Sequence, residues 1–145
     1  MLNLPKVILD GTFRTLRKCG RAECECALYW IGPATGDIVN GIEHPLHRRS
    51  PFGYRVDDGW LTQFWTRLAQ EKLSIKAQIH THPNRAFHSA TDDQWPIISQ
   101  PGFISIVIPD FAMGTCSLKN AWIGSLDPLG HWKQATKAEE VLRFV

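Results

Sequence analysis

No apolar run in these 145 residues approaches the roughly 20 that a bilayer-spanning helix needs. Met1 to Lys6 lack a basic stretch followed by an apolar core, so neither a secretory leader nor membrane attachment is expected. Low-complexity tracts, internal repeats and flexible linkers are missing as well. That leaves one domain over residues 1–145, long enough to bury a core without staples. Excess charge is small: the formal balance of +2 comes from scattered cations. Their densest group, Arg14, Arg17, Lys18 and Arg21, reads as the solvated face of a helix or as a contact patch. Without a basic stripe, nucleic acid is not an expected partner. Cysteine is limited to Cys19, Cys24, Cys26 and Cys116. Cys24 and Cys26 stand too close along an extended strand to pair comfortably. With no export signal, reduced thiols in a cytoplasmic protein are the simpler expectation. A zinc site on Cys19, Cys24 and Cys26 lacks a fourth ligand at ribbon or finger spacing.

Six Trp and seven Phe are generous for this length, so some aromatics are expected at the surface or in a groove. Trp60, Trp65, Trp95 and Phe111 are candidates, although Trp60 and Trp65 fit a helix core better. Thr12 to Cys19 reads as a short helix with Gly20 as its stop. Cys26 to Ile31 is a continuous apolar run of the kind found in buried strands, and Asp37 to His44 is its expected return partner. Asp57 or Asp58 can cap a helix that runs to about Lys72, with Trp60, Leu61, Phe64, Trp65 and Leu68 at three- and four-residue steps. A strand over Ile75 to Thr81, a short helix from Ser89 interrupted at Pro96, and a strong strand over Gly102 to Ile108 follow. Trp122 to Ser125 and His131 to Gln134 flank a hairpin loop, and Glu139 to Val145 forms a last short helix or a frayed tail. Such an order predicts a mixed α/β (α+β) domain around one sheet.

Chemistry concentrates at three places. His80 and His82 lie two apart at the end of a strand, so both imidazoles project from one face and can serve one metal. Ser89-Ala90-Thr91-Asp92 reads structurally as a variant capping box and functionally as a helix mouth offering the Asp92 carboxylate. Two His and one carboxylate leave a fourth tetrahedral position open, which marks a catalytic rather than a structural zinc site. Glu25, at the entrance of the apolar strand, is either a solvated strand end or a general base beside the metal, with Glu23 as its rival.

A Glu opening an apolar strand, then His-x-His-Pro, then Ser-x-x-Asp, resembles the signature of the JAB/MPN (JAMM) metalloproteases. Ala86-Phe87-His88-Ser89-Ala90-Thr91-Asp92 is similar to the Ala-Phe-x-Ser-x-x-Asp of deubiquitinating members, and Glu25 stands seven residues before Gly32 as the family's Glu does before a glycine. The likeness spans roughly residues 7 to 125. It implies the MPN/JAB fold, a curved mixed β-sheet flanked by helices in a cytidine-deaminase-like arrangement. It further implies one catalytic Zn2+ on His80, His82 and Asp92, with Glu25 as acid/base and Ser89 donating to the oxyanion. Two departures stand out. The family's spacing puts the acidic ligand eleven residues after the second His, at Asp93, whereas the Ser-x-x-Asp frame gives Asp92; choosing Asp93 would set Ala90 where the hydroxyl belongs. The family's Cys-Gly in the first strand is replaced by Ala27-Leu28.

By this likeness the substrate is a ubiquitin-like protein, cut at its C-terminal tail or at the bond joining it to a target. The run Gly102 to Phe111 resembles prokaryotic members, which accompany E1-like and E2-like conjugation enzymes, sometimes in antiphage defence operons. The competing readings are a non-catalytic MPN-like binding module and a RadC-like DNA-associated protein.

Overall fold

The molecule's architecture follows from where apolar residues fall along the strands. The structure, a computed structural model, describes residues 1–94 and 97–145, the side chains of 93 and 94 excepted. In chain order its elements are β1 (Leu2–Leu4), α1 (Lys6–Gly20), β2 (Ala27–Pro33), β3 (Gly41–Glu43), β4 (His47–Ser50), β5 (Gly53–Val56), α2 (Asp58–Glu71), β6 (Leu73–Thr81), α3 (Ala90–Gln94), β7 (Ile104–Ile108), β8 (Trp122–Leu126), β9 (Trp132–Gln134) and β10 (Leu142–Phe144). Six strands form one mixed sheet in the order β3-β2-β6-β7-β8-β9, parallel only between β6 and β7.

Side chains alternate across this sheet, and each face carries its own core. Leu28 and Trp30 of β2, Ala77 and Ile79 of β6, and Ile104, Ile106 and Ile108 of β7 pack with Phe13 and Leu16 of α1. Trp30 is fully buried, and its indole N–H donates to Thr12 Oγ1, whose own hydroxyl donates to the Ile8 carbonyl, so no polar atom of the pair is stranded. On the opposite face Tyr29, Ile31 and Ile75 meet Phe64 and Leu68 of α2. Burying each of those two α2 side chains contributes about 1.5–3 kcal/mol, which is what fixes α2 against the sheet. Trp60 joins this cluster through rings 4.7 Å from Phe64, while Trp65 is 40% exposed.

Helix ends explain most of the differences from sequence expectation. α1 begins well before Thr12, behind the extended Pro5, and its left-handed cap is Arg21 rather than Gly20. α2 matches expectation, with Asp57 accepting the Trp60 amide at 2.8 Å. The return strand expected over Asp37 to His44 shrinks to Gly41–Glu43, and the next segment forms an unexpected β4–β5 hairpin. The C-terminal segment is neither helix nor frayed tail: after a short 3-10 turn, β10 pairs in parallel with β1. Gly32 allows a close crossing, since a Cβ there would stand 2.0 Å from the Ile38 carbonyl oxygen. The expectation of reduced thiols fails at Cys19 and Cys26. The turn after α1 brings their Cα atoms to 6.2 Å, and they are joined as a disulfide, whereas Cys24 and Cys116 are free.

Candidate metal centre

β2 and β6 run antiparallel with Ala27 opposite His80. Continuing that register by one same-face step puts Glu25 opposite His82, and Glu25 Oε1 stands 4.0 Å from His82 Nε2. Thr81 locks the end of the pair from the other face: its hydroxyl accepts the Cys26 amide at 2.9 Å, and its amide donates to the Cys26 carbonyl. Both imidazoles are buried, as is Glu25 at 6% exposure. The rival Glu23 is exposed and lines no part of the cavity described below.

Both readings of the Ser89–Asp92 segment hold at once. The Ser89 amide donates to Asp92 Oδ2 at 2.9 Å, and the Asp92 amide donates to Ser89 Oγ at 3.1 Å, which is a reciprocal cap at the start of α3. The same Oδ2 faces the histidines, 3.2 Å from His80 Nε2 and 3.5 Å from His82 Nε2, and the two Nε2 atoms are 3.3 Å apart. Ligands at about 2.0–2.1 Å from a tetrahedral ion stand about 3.3–3.4 Å from one another. The triangle therefore has the dimensions of three ligand positions, and His80, His82 and Asp92 make a group suited to one metal ion. With Nε2 of His80 offering its lone pair, that ring's proton belongs on Nδ1, which is buried without a hydrogen-bond partner among the described residues. The Asp93 carboxyl, the alternative ligand, lies outside the described residues, as do Trp95 and Pro96.

Burial opposes ionisation of Asp92, yet its contacts with the His80 and His82 rings and the hydrogen bond from the Ser89 amide outweigh it and hold the carboxyl below the usual carboxylate range. Glu25 differs. Burial pushes its carboxyl up to about 7; His82 opposes this rise and Asp92 adds to it. Two carboxyls near one pair of imidazoles are thus driven apart in acidity, one a permanent anion and the other able to exchange a proton near neutrality.

A cavity of about 650 Å³ opens onto Glu25, His82, Ser89 and Asp92. Its other walls were not foreseen: Phe52, Gly53, Tyr54 and Val56 of the β4–β5 hairpin, Gln78, and Arg85 and Phe87 of the loop after β6. Gln78 had a signal, because it lies two residues before His80 and so shares its face. It donates to Ser105 Oγ at 3.1 Å and accepts the Ile97 amide at 3.1 Å. His88 also meets Ser105 at 3.1 Å and stacks on Trp122, so the loop carrying Ser89 is tied to β7 and β8. Trp60, Trp65 and Phe111 are not among the cavity's walls; the exposed aromatics there are Phe52 and Phe87.

Asp110, Phe111 and Ala112 follow β7 with φ of 57°, 52° and 61°. Left-handed backbone at non-glycine residues costs about 1–2 kcal/mol apiece, so something must hold this turn. The Phe111 amide donates to the His82 carbonyl and the Asp110 amide to the Asn84 carbonyl, both at 2.9 Å. Arg17 adds a side-chain bond to the Ala112 carbonyl at 2.6 Å, so one cation of the α1 cluster is spent inside the protein. The strained turn fixes the backbone that carries His82.

No family model matches the chain. It is 35% identical, over 93% of its own length and 87% of the other's, to the "probable metalloprotease y4jG" of Sinorhizobium fredii. In fold it is similar to a Desulfitobacterium hafniense protein solved in solution, with a TM-score of 0.70 at 14% identity, covering 100% of this chain and 93% of that one. It is also similar to a JAB1/MPN domain protein from Archaeoglobus fulgidus, with a TM-score of 0.55 at 11% identity and coverage of 100% and 97%. With sequence, fold and the His–His–Asp group in agreement, this chain belongs to the metalloprotease family of the Sinorhizobium fredii protein, has the fold of a JAB/MPN domain and is a metal-dependent peptidase.

Proposed function

We propose that the chain is a JAMM-type, zinc-dependent peptidase or isopeptidase that cuts at the C-terminal tail of a ubiquitin-like protein. The observation that carries the proposal is the placement of Glu25, a buried carboxyl 4.0 Å from one imidazole of the ligand triangle and open to the cavity. Zn2+ suits a donor set of two imidazoles and one carboxylate with a vacant corner; when bound it acidifies water and polarises a carbonyl. Glu25 takes the proton from the attacking water as the new C–O bond forms. It then delivers that proton to the leaving nitrogen as the C–N bond breaks. Ser89 Oγ accepts the Asp92 amide, which leaves its O–H to donate to the oxygen that gains charge.

The β4–β5 hairpin supports the substrate class. Among the described residues it is a two-stranded sheet, so the outer edge of β5 has no third strand beside it, and Gly53, Tyr54 and Val56 of β5 line the cavity. An extended tail can add to that edge as a further strand, which leads its carbonyl past Glu25. The E1-like and E2-like proteins of a bacterial conjugation system, in the cytoplasm and in some cases in antiphage defence, are the partners this reading entails.

The test is a ubiquitin-like protein ending in Gly-Gly, fused to a reporter through its C-terminus and, in parallel, through a lysine side chain. Hydrolysis of either by the zinc-loaded chain, absent in Asp92→Ala, supports the reading. Zinc-loaded protein that binds the ubiquitin-like protein without cutting it would point to a binding module. Cleavage of unrelated peptides alone would discard the ubiquitin-like substrate.

A further inference from the structure

A second convergence of ligand atoms lies behind the site. Cys19, at the end of α1, and Cys26, at the entrance of β2, meet His44 from the β3–β4 connection and His47 at the start of β4, and the four ligand atoms lie within 4.8 Å of one another. Cys19 Sγ is 3.6 Å from His47 Nε2 and Cys26 Sγ is 3.3 Å from His44 Nε2. A sulfur and a nitrogen bound to one tetrahedral zinc, at about 2.3 and 2.0–2.1 Å, stand about 3.5–3.6 Å apart. The disulfide accounts for the approach of the two cysteines but not for that of the two histidines.

His47 is the more telling of the pair. Its Nδ1 is 2.7 Å from the Pro45 carbonyl, which can only accept, so the ring proton sits on Nδ1. In the neutral ring Nε2 then carries a lone pair aimed at Cys19 sulfur. Two lone pairs gain nothing from facing each other, whereas a metal between them is held by both. An Nδ1–H bonded to a backbone carbonyl is also the usual outer support of a metal-ligating histidine. Arg49 places a guanidinium nitrogen 3.8 Å from the same sulfur.

We infer that Cys19, Cys26, His44 and His47 form a second, structural Zn2+ site that clasps α1, the entrance of β2 and the β3–β4 connection together. Four protein ligands leave no open position, so this site holds structure rather than performing hydrolysis. The disulfide is its oxidised, metal-free form. Reduction by a dithiol, itself oxidised to its own disulfide, supplies two electrons and two protons, and Zn2+ then displaces both thiol protons. Glu25 immediately precedes Cys26, so the clasp anchors the strand end from which Glu25 projects.

Cobalt loading of the reduced full-length protein decides the matter, because thiolate-to-cobalt charge transfer in the near ultraviolet cannot arise from two imidazoles and a carboxylate. Reduced wild type should bind two equivalents and show that band. Asp92→Ala should keep one equivalent with the band, and folded His47→Ala, left with two thiolates and His44, should bind its second equivalent more weakly and with an altered band. A single equivalent and no band in reduced wild type, or a second equivalent in His47→Ala bound as tightly and with the same band as in wild type, overturns the inference. Should His47→Ala not fold, alkylation of wild type gives an independent answer. Cys19 and Cys26 should resist iodoacetamide when reduced and zinc-loaded and react once a chelator is added; equal reactivity in both states overturns the clasp. Because the band belongs to the thiolates alone, its loss leaves the peptidase reading untouched, and failed cleavage leaves the clasp untouched.

Discussion

Glu25 and Cys26 are neighbours in sequence that face opposite sides of the sheet, and each looks toward a different cluster of metal-ligating side chains. On the cavity side, His80, His82 and Asp92 offer three ligands and a free corner. On the α1 side, Cys19, Cys26, His44 and His47 offer four and leave none. The donor sets differ in the same sense: hard oxygen and nitrogen where water must be activated, sulfur and nitrogen where a fold must be held. One strand entrance thus separates a site built to react from a site built to stay closed.

The sharpest way to break that distinction is to remove a ligand from the open site. Asp92→Ala should abolish hydrolysis to background, with the loss of one metal equivalent by elemental analysis while the other is retained. His82→Ala should do the same. Full metal content in Asp92→Ala, with loss in Asp93→Ala, would show that the acidic ligand is Asp93 instead. Glu25→Gln comes next: metal content and melting temperature should hold while kcat falls by about 10²–10⁴, the usual worth of a general acid–base group. Loss of metal in Glu25→Gln would make it a ligand rather than a base.

Parts of the open site were legible from local pattern, and the resemblance to the JAB/MPN metalloproteases joined them into one set. His80 and His82 share a face by the two-residue repeat of a strand, and Ser89 and Asp92 announce a helix start by capping chemistry. Glu25 needed the register of β2 against β6, which follows once both strands are placed. The closed site was not legible. Cys19 and Cys26 lie on either side of a turn whose left-handed Arg21 and Ala22 carry no glycine signal, and His44 and His47 belong to a connection and the start of a strand, neither of which shows apolar periodicity. No fourth ligand stands at ribbon or finger spacing along the chain, because the histidines arrive through space. The β4–β5 hairpin likewise carries no sequence signal: its burial is only partial, and its residues show no apolar alternation.

Ser89 sharpens the comparison, because its structural and chemical duties can be separated. Replacing it by Ala removes an N-cap, which should lower stability by about 1 kcal/mol in a denaturant melt. If its hydroxyl also serves the oxyanion, kcat should fall by about 10²–10³ as well, with KM little changed. A melt that shifts while kcat stays at the wild-type value would reduce Ser89 to a cap.

The smallest expected effect joins the two sites. His47→Ala opens the clasp at a residue that is not itself a cavity wall, although its ring meets Tyr54 edge-on and its backbone pairs with Val56, so the entrance of β2 loses an anchor while His80, His82 and Asp92 keep theirs. Glu25 is still bonded through its amide to the Ser50 carbonyl at 2.9 Å, but the β4 strand that carries Ser50 starts at His47 itself. We expect kcat to drop about 10-fold, the lower end of what outer supports of metal sites are worth, with KM unchanged. A general loss of structure would give the same drop, so the discriminating measurement is a double-mutant cycle with Glu25→Gln. If the clasp works by placing the Glu25 carboxylate, His47→Ala should cost nothing further once that carboxylate is gone. If the two losses multiply instead, the sites are neighbours without being partners.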